Sequence, residues 1–230
     1  MTPTLAAAGD QGFLVRFGDT IDPAISEQVL DAVHWLETEP PAGVLDVVPG
    51  YAAVLVVHDP GHADPAEVRS WITRRLGDGA NRCAPAGRRA RRVEIPVLYD
   101  GSVAPDLEPL AALKGLSVKD LVELHTAAAY RCYLLGFRPG FPFLGGLDAR
   151  LHTPRLASPR AWVAAGSVGI GGQQTGIYPV SSPGGWRIIG RTPLRLFEPG
   201  RADPFLVHPG DQVAFIAVEP RQFLALGGAV

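Results

Sequence analysis

Between Gly136 and Asp148 the chain reads GFRPGFPFLGGLD, and from Pro154 to Trp186 it reads PRLASPRAWVAAGSVGIGGQQTGIYPVSSPGGW. Glycine and proline alternate there with aromatics, and the charged residues are nearly all arginine. Glycine permits positive φ and close backbone approach, while proline fixes φ and removes an amide donor. A stretch so full of both cannot be a long helix. It has to fold as short strands and tight turns, either as the wall of a barrel or as a ligand groove.

The rest of the composition narrows the field. At 230 residues the chain has room for one large domain or two small ones. Its 47% hydrophobic content supports a dense core, and a net charge of −2 argues against nucleic acid as the main partner. Cys83 and Cys132 form no C-x-x-C pair, so neither a disulfide framework nor a zinc site is expected. The start, MTPTLAAAGDQ, lacks a basic and apolar leader pattern, and no apolar run has the length of a membrane span; a cytoplasmic protein is expected.

The first part reads as a compact α/β unit. Gly12 to Phe17 alternates as a strand, and Asp22-Pro23 opens a helix with Ile25, Val29, Val33 and Leu36 on one face. Pro40-Pro41 stops it. Val44 to Val48 and Tyr51 to Val57 flank Pro49-Gly50 as a hairpin, and Asp64-Pro65 starts a second helix through Val68, Trp71, Ile72 and Leu76. Val93 to Leu98 closes the series as a strand. The resulting βαββαβ order predicts a ferredoxin-like domain over residues 1–90. Gly77 to Arg92, with Arg82, Arg88, Arg89, Arg91 and Arg92, reads as a solvated basic loop or an anion-binding patch.

Residues 91–230 read as a second, β-rich domain. Ser117 and Asp120 resemble a capping box before a helix striped by Leu121, Leu124 and Ala128. Short strands are expected at Arg131–Leu135, Val163–Ile170, Ile177–Val180, Arg187–Ile189, Leu194–Phe197 and Gln212–Val218, the last led in by Pro209-Gly210-Asp211. Six short strands with regular turn signals point to a closed barrel or a sandwich.

No phosphate loop, zinc helix or nucleophile elbow is present in the sequence. Gly166 to Gly172 superficially matches a dinucleotide fingerprint without a helix behind it. It is either an amide nest at a ligand or a tight barrel corner. His125, near the end of the predicted helix, is either a packed histidine or an imidazolium favoured by the helix dipole. Gln174, Thr175, Tyr178, Ser181 and Ser182 gather with Trp186 in a proline-broken segment whose hydroxyls, amide and aromatic face suit a small polar ligand.

The strings GF-x-PGF-x-FLGGLD, PR-x3-PR, AGSVGI-x-G-x-QTGIYP and SPGGW-x-IIGRTP-x-x-LF, with a closing PGD-x-V-x-F, resemble the allophanate hydrolase subunit 1 family, which includes the B component of bacterial 5-oxoprolinase and the Kip inhibitor. The VVPGY hairpin, the VEIPV strand and the His125 to Tyr130 segment match as well. The resemblance covers nearly the whole chain. It implies a ferredoxin-like N-terminal domain and a cyclophilin-like C-terminal barrel. It also implies an ATP-dependent lactam hydrolase that opens 5-oxo-L-proline to L-glutamate together with a subunit 2 protein and a third 5-oxoprolinase protein. Arg138 stands where the family often has a small residue, and Gln173 lies at a variable position.

From the resemblance, His125, Gln174 and Thr175 are expected in catalysis, and Phe141, Tyr178, Ser182, Gly184, Gly185 and Trp186 in substrate binding, with no metal. These residues are expected to line one groove facing subunit 2, with ATP held jointly. The resemblance leaves two alternatives: regulation of a sensor histidine kinase, as the Kip inhibitor's name implies, and an allophanate or urea amidolyase-type subunit.

Overall fold

A computed structural model of the chain describes residues 3–79 and 90–229. Contacts divide the chain into two compact units, Met1–Arg89 and Ala90–Val230. No described helix is long and apolar enough to cross a membrane.

The first unit runs β1 (Thr4–Ala7), β2 (Gly12–Arg16), α1 (Pro23–Glu37), β3 (Val44–Pro49), β4 (Ala53–His58) and α2 (Pro65–Gly79). Asp22 caps α1 through bonds from the Ala24 and Ile25 amides at 2.8 and 3.2 Å, a device worth ~1 kcal/mol. Val29 and Leu36 are buried on one face of the helix. The hairpin of β3 and β4 closes with the Gly50 amide on the Ala53 carbonyl at 2.7 Å. Strands pack in the antiparallel order β1-β2-β4-β3. Phe13, Val15, Val54 and Val56 of the sheet meet Val29 and Leu36 of α1 and Val68, Trp71 and Ile72 of α2 in one core.

The second unit runs β5 (Arg92–Val97), α3 (Leu107–Lys114), α4 (Val118–Ala127), β6 (Ala129–Leu135), β7 (Pro142–Gly145), β8 (Arg160–Val163), β9 (Ser167–Gly171), β10 (Gln174–Ile177), β11 (Ser182–Gly184), β12 (Arg187–Arg191), β13 (Gln212–Ala217) and α5 (Pro220–Ala225). Seven strands form one sheet in the order β12-β9-β10-β7-β6-β13-β5. Its two edges meet where Leu98 and Arg191 exchange backbone bonds of 2.8 and 3.0 Å, so the sheet nearly closes on itself. This architecture fits the cyclophilin-like barrel implied by the resemblance. Ile95, Val97, Val168, Ile170, Ile177, Ile189, Val213 and Phe215 fill the interior, and Leu107, Leu110, Leu121 and Phe223 from the helices join them. The capping box of α4 is formed in full, with Ser117 and Asp120 each bonding the other's amide.

The structure corrects several expectations. Arg92–Val97 is a strand but not the closing strand of the first unit: it pairs in parallel with β13. In the N-terminal sheet the edge beside β2 is taken by β1. The stretch expected as one strand, Val163 to Ile170, is broken into β8 and β9. Gly166 makes the corner at φ +79°, where an added Cβ would lie 2.3 Å from the Thr192 carbonyl oxygen. Leu194 to Phe197 contributes only an isolated bridge, Phe197 to Phe205. Ile177 to Val180, expected as a strand, is strand only at Ile177, where β10 (Gln174–Ile177) ends; strands β7 and β11 and helices α3 and α5 are additions to the expected elements. Cys83 and the arginines at 82, 88 and 89 lie outside the described residues.

Candidate functional site

Strand β10 divides the expected site residues between two environments, because successive side chains point to opposite faces of a sheet. Thr175 faces the barrel interior. Its Oγ1 lies 2.9 Å from His125 Nε2 and 3.0 Å from the Gly169 carbonyl, to which it donates. With its one hydrogen committed there, Thr175 accepts from His125, so the imidazole proton sits on Nε2. Nδ1 is then an acceptor, and the Tyr99 hydroxyl, 2.7 Å away, donates to it. Tyr130 donates to the His125 carbonyl at 2.7 Å, and Phe215 stacks on the ring at 4.6 Å.

His125 and Thr175 are fully buried. Burial lowers the His125 pKa to about 3 and raises that of the Tyr99 hydroxyl, so this polar ladder is neutral. The dipole-favoured imidazolium is overruled by desolvation. Cys132, buried nearby in the same core, is likewise held as a thiol by burial, with Asp211 adding to the effect.

Gly176 faces the other way. Its Cα supports the Phe141 ring, whose Cε1 would lie 2.9 Å from an added Cβ. On β9, Val168 and Ile170 point into the barrel, while an added Cβ on Gly171 would lie 2.6 Å from the Trp186 ring. Phe141, Tyr178, Trp186, Val163 and Ile188 form a second apolar cluster on this face, with Phe143 against it. Phe141 meets Tyr178 and Trp186 edge-on at 5.2 and 5.3 Å. Gly184 passes directly under the Tyr178 hydroxyl, where a Cβ would sit 2.3 Å from the oxygen. Gly171, Gly176 and Gly184 are therefore seats for aromatic rings. The Gly166 to Gly172 run is a corner followed by a buried strand and its hairpin turn.

The structure thus brings Phe141, Tyr178, Gly184 and Trp186 together in a buried cluster on the outer face, or wall, of the barrel sheet, with Ser182 also buried in β11 and Gly185 against Pro159. Gln174 is buried on β10. His125 and Thr175 belong to the interior and do not line that wall. Burial raises the Tyr178 pKa, opposed by the Trp186 amide bonded to its oxygen and by the charges of Arg155 and Arg160. Arg155 stacks over Trp186, its Cζ 5.6 Å from the ring centre. Arg160 instead turns to buried Asp106, with bonds of 2.7 and 2.8 Å, and Asp106 also accepts from the Ile188 amide at 2.6 Å.

Phe137 is an exposed aromatic on this wall that sequence reasoning misses. It sits at φ 61° in a three-residue turn closed by the Arg138 amide on the Gly136 carbonyl at 2.6 Å. A bulky side chain at positive φ costs ~1–3 kcal/mol. The ring is 59% exposed, edge-on to Phe141 at 5.5 Å and to Tyr178 at 6.2 Å, with the Arg138 guanidinium 5.7 Å from its centre. Beside it lies an open groove of about 360 Å³ bounded by Leu135, Pro139, Gly140 and Phe205. The flanking Gly136 and Gly140 in GFRPGF are the sequence signal for a strained tip. Tyr99 and Asp106 carry none, since their partners lie far along the chain.

Together these features define a mixed α+β protein with a nearly closed barrel-like sheet, a sealed polar ladder inside and an aromatic and arginine wall outside. The carboxyltransferase domain, subdomain C and D, matches residues 3–207, and the chain belongs to that family, that of allophanate hydrolase subunit 1. It is 39% identical to the B component of 5-oxoprolinase from Bacillus subtilis (strain 168), over 94% of this chain and 93% of that protein. It is 57% identical to the same component from Escherichia coli O157:H7, over 55% of this chain and 58% of that one. Among solved structures, TTHA0988 matches with a TM-score of 0.80 at 40% identity, over 91% of this chain; the match spans 40% of the TTHA0988 chain.

Proposed function

We propose that this chain is a subunit of an ATP-dependent 5-oxoprolinase, opening 5-oxo-L-proline to L-glutamate with a subunit 2 protein and a third protein. The observation that carries this reading is similarity along nearly the full length of the Bacillus subtilis 5-oxoprolinase component. The geometry supports it: the motifs GF-x-PGF, QTGIYP and SPGGW, far apart in sequence, converge on one aromatic wall.

A five-membered lactam is a stabilised amide. ATP supplies the activation: phosphorylation of the lactam oxygen makes the ring carbon open to water, and 5-oxoproline, ATP and two waters give glutamate, ADP and phosphate. The exposed Phe137 ring, held edge-on against buried Phe141 and Tyr178, is the apolar face that this wall offers the ring. The Tyr178 oxygen already accepts from the Trp186 amide, which leaves its proton free to be donated. Gly166 to Gly172 is corner and strand, and so gives a nucleotide no amide cradle. Lys114 bonds the His152 carbonyl, and Lys119 is a solvated surface lysine beside Glu123, away from the aromatic wall's motifs in sequence. The phosphates are therefore left to arginines of this chain and to the subunit 2 protein, which hold the nucleotide jointly.

Reconstitution with subunit 2 and the third protein tests the reading. Glutamate is expected to form from 5-oxoproline only with ATP and only when this chain is present. Equal turnover without the chain would refute it.

A further inference from the structure

The two arginines of PR-x3-PR have opposite fates. Arg160, partly buried, is neutralised by Asp106 in a two-pronged bond. Arg155 is exposed, and among the described residues it has no hydrogen bond and no carboxylate partner. Its guanidinium rests on the Trp186 ring, close enough for its charge to act on the Tyr178 hydroxyl.

This placement is built. Thr153 exchanges backbone bonds with Gly172 at 3.0 and 2.7 Å, Arg187 Nε donates to the Pro154 carbonyl at 3.3 Å, and the Leu156 amide donates to the Gly185 carbonyl at 2.7 Å. The backbone is thus pinned on both sides of Arg155, whose side chain lies on a ring itself seated on Gly171. A free arginine normally loses much rotamer freedom on binding; here part of that ordering is already done. Its planar fork matches carboxylate and phosphate oxygens, and stacking on an indole leaves the N–H edge free to donate.

We infer that Arg155, stacked on Trp186 beside the Tyr178 hydroxyl, is an oxyanion-recognition residue for the ligand of this wall. The inference rests on the reading that the wall faces substrate. Two oxyanions satisfy the chemistry, the carboxylate of a lactam acid and the phosphate of a nucleotide.

Arg155→Gln removes the charge from an exposed side chain and leaves the pinned backbone intact. In the reconstituted complex it is expected to raise the KM for one oxyanion-bearing substrate about tenfold or more. The kcat is expected to stay within about twofold, as for lost ground-state binding. Arg155→Lys should recover part of the affinity. A rise confined to 5-oxoproline assigns the carboxylate, and a rise confined to ATP assigns the phosphate. Unchanged KM values for both overturn the inference, as does an assembly defect with no KM change, which would make Arg155 an interface residue.

If the wild-type complex turns over no 5-oxoproline, the 5-oxoprolinase reading fails separately. Titration of the full chain then decides. The Trp186 indole N–H resonance should move saturably with 5-oxoproline or with inorganic phosphate, and the movement should vanish in Arg155→Gln. A resonance that moves with neither anion overturns the inference.

Discussion

His125 Nε2 stands 2.9 Å from Thr175 Oγ1, and that hydrogen bond joins α4 to β10 inside the barrel. Proton direction along the ladder is fixed from its far end, since Thr175 spends its one hydrogen on the Gly169 carbonyl. The imidazole is neutral because it is sealed: burial pushes its pKa down to about 3.

Stability should therefore depend on pH through His125. The unfolded chain binds a proton near pH 6.5, whereas the folded chain resists until about pH 3. The contribution is fully present above pH 6.5 and is lost as pH falls toward 3, at a slope of ~1.4 kcal/mol per pH unit. Urea unfolding of wild type and His125→Gln at several pH values between about 7.5 and 4.5 checks this. The stability gap between them should narrow with acidification, and a constant gap would refute the sealed neutral imidazole.

Thr175→Val keeps the shape and removes both bonds. It leaves His125 Nε2–H without a partner in a dry core, while the Gly169 carbonyl keeps its ladder pairing with Gly176, at a cost of about 1–3 kcal/mol. Thr175→Ser, which restores the hydroxyl, should recover most of that in the same unfolding assay.

The ring seats make a separate prediction. Gly171→Ala drives a methyl to within 2.6 Å of the buried Trp186 ring, and Gly176→Ala to within 2.9 Å of Phe141. Both rings are buried, and the Gly176→Ala methyl also meets the Pro142 carbonyl oxygen at 2.8 Å, so each substitution should cost about 1–3 kcal/mol. Gly77, inside α2 with nothing within 4 Å of an added Cβ, is the control. Gly77→Ala should stabilise by up to ~1 kcal/mol through helix propensity. Thermal unfolding of the three variants should separate the two kinds of glycine.

Local signals carry much of the fold. Asp22-Pro23, Pro49-Gly50 and the Ser117–Asp120 box each act within a few residues, and each forms as the sequence predicts. Arg92–Val97 alternates like any strand, and nothing in that alternation names its partner. The distant strand β13 supplies it. The wall is legible as a set of residues, because Phe141, Tyr178 and Trp186 lie in the glycine-rich motifs. The sheet that separates them from His125 is not, since it depends on which face of β10 each side chain takes. Which arginine of PR-x3-PR is neutralised depends likewise on Asp106, far upstream in sequence.

Asp106 holds the start of α3 to β12 and to Arg160. Asp106→Ala leaves the Ile188 amide unbonded and the Arg160 guanidinium without its counter-charge in a partly buried place. A loss of about 2–3 kcal/mol is expected, less than for a fully buried pair because Arg160 stays partly in water. Arg160→Met in the same background should return part of it by removing the stranded charge. Urea unfolding of the single and double variants measures the coupling, and strict additivity would refute it.

Phe137 offers the sharpest separation of stability from function. Phe137→Gly removes a side chain held at φ 61° and relieves ~1 kcal/mol or more of backbone strain, offset by loss of the edge contacts to Phe141 and Tyr178. Phe137→Ala loses the same contacts and keeps the strain. Phe137→Gly should therefore have the higher Tm of the two variants. If the exposed ring serves the complex, both variants should lose turnover to a similar extent, because both lack the ring. Activity that follows Tm instead would make the strained tip a purely structural turn, and its exposure incidental.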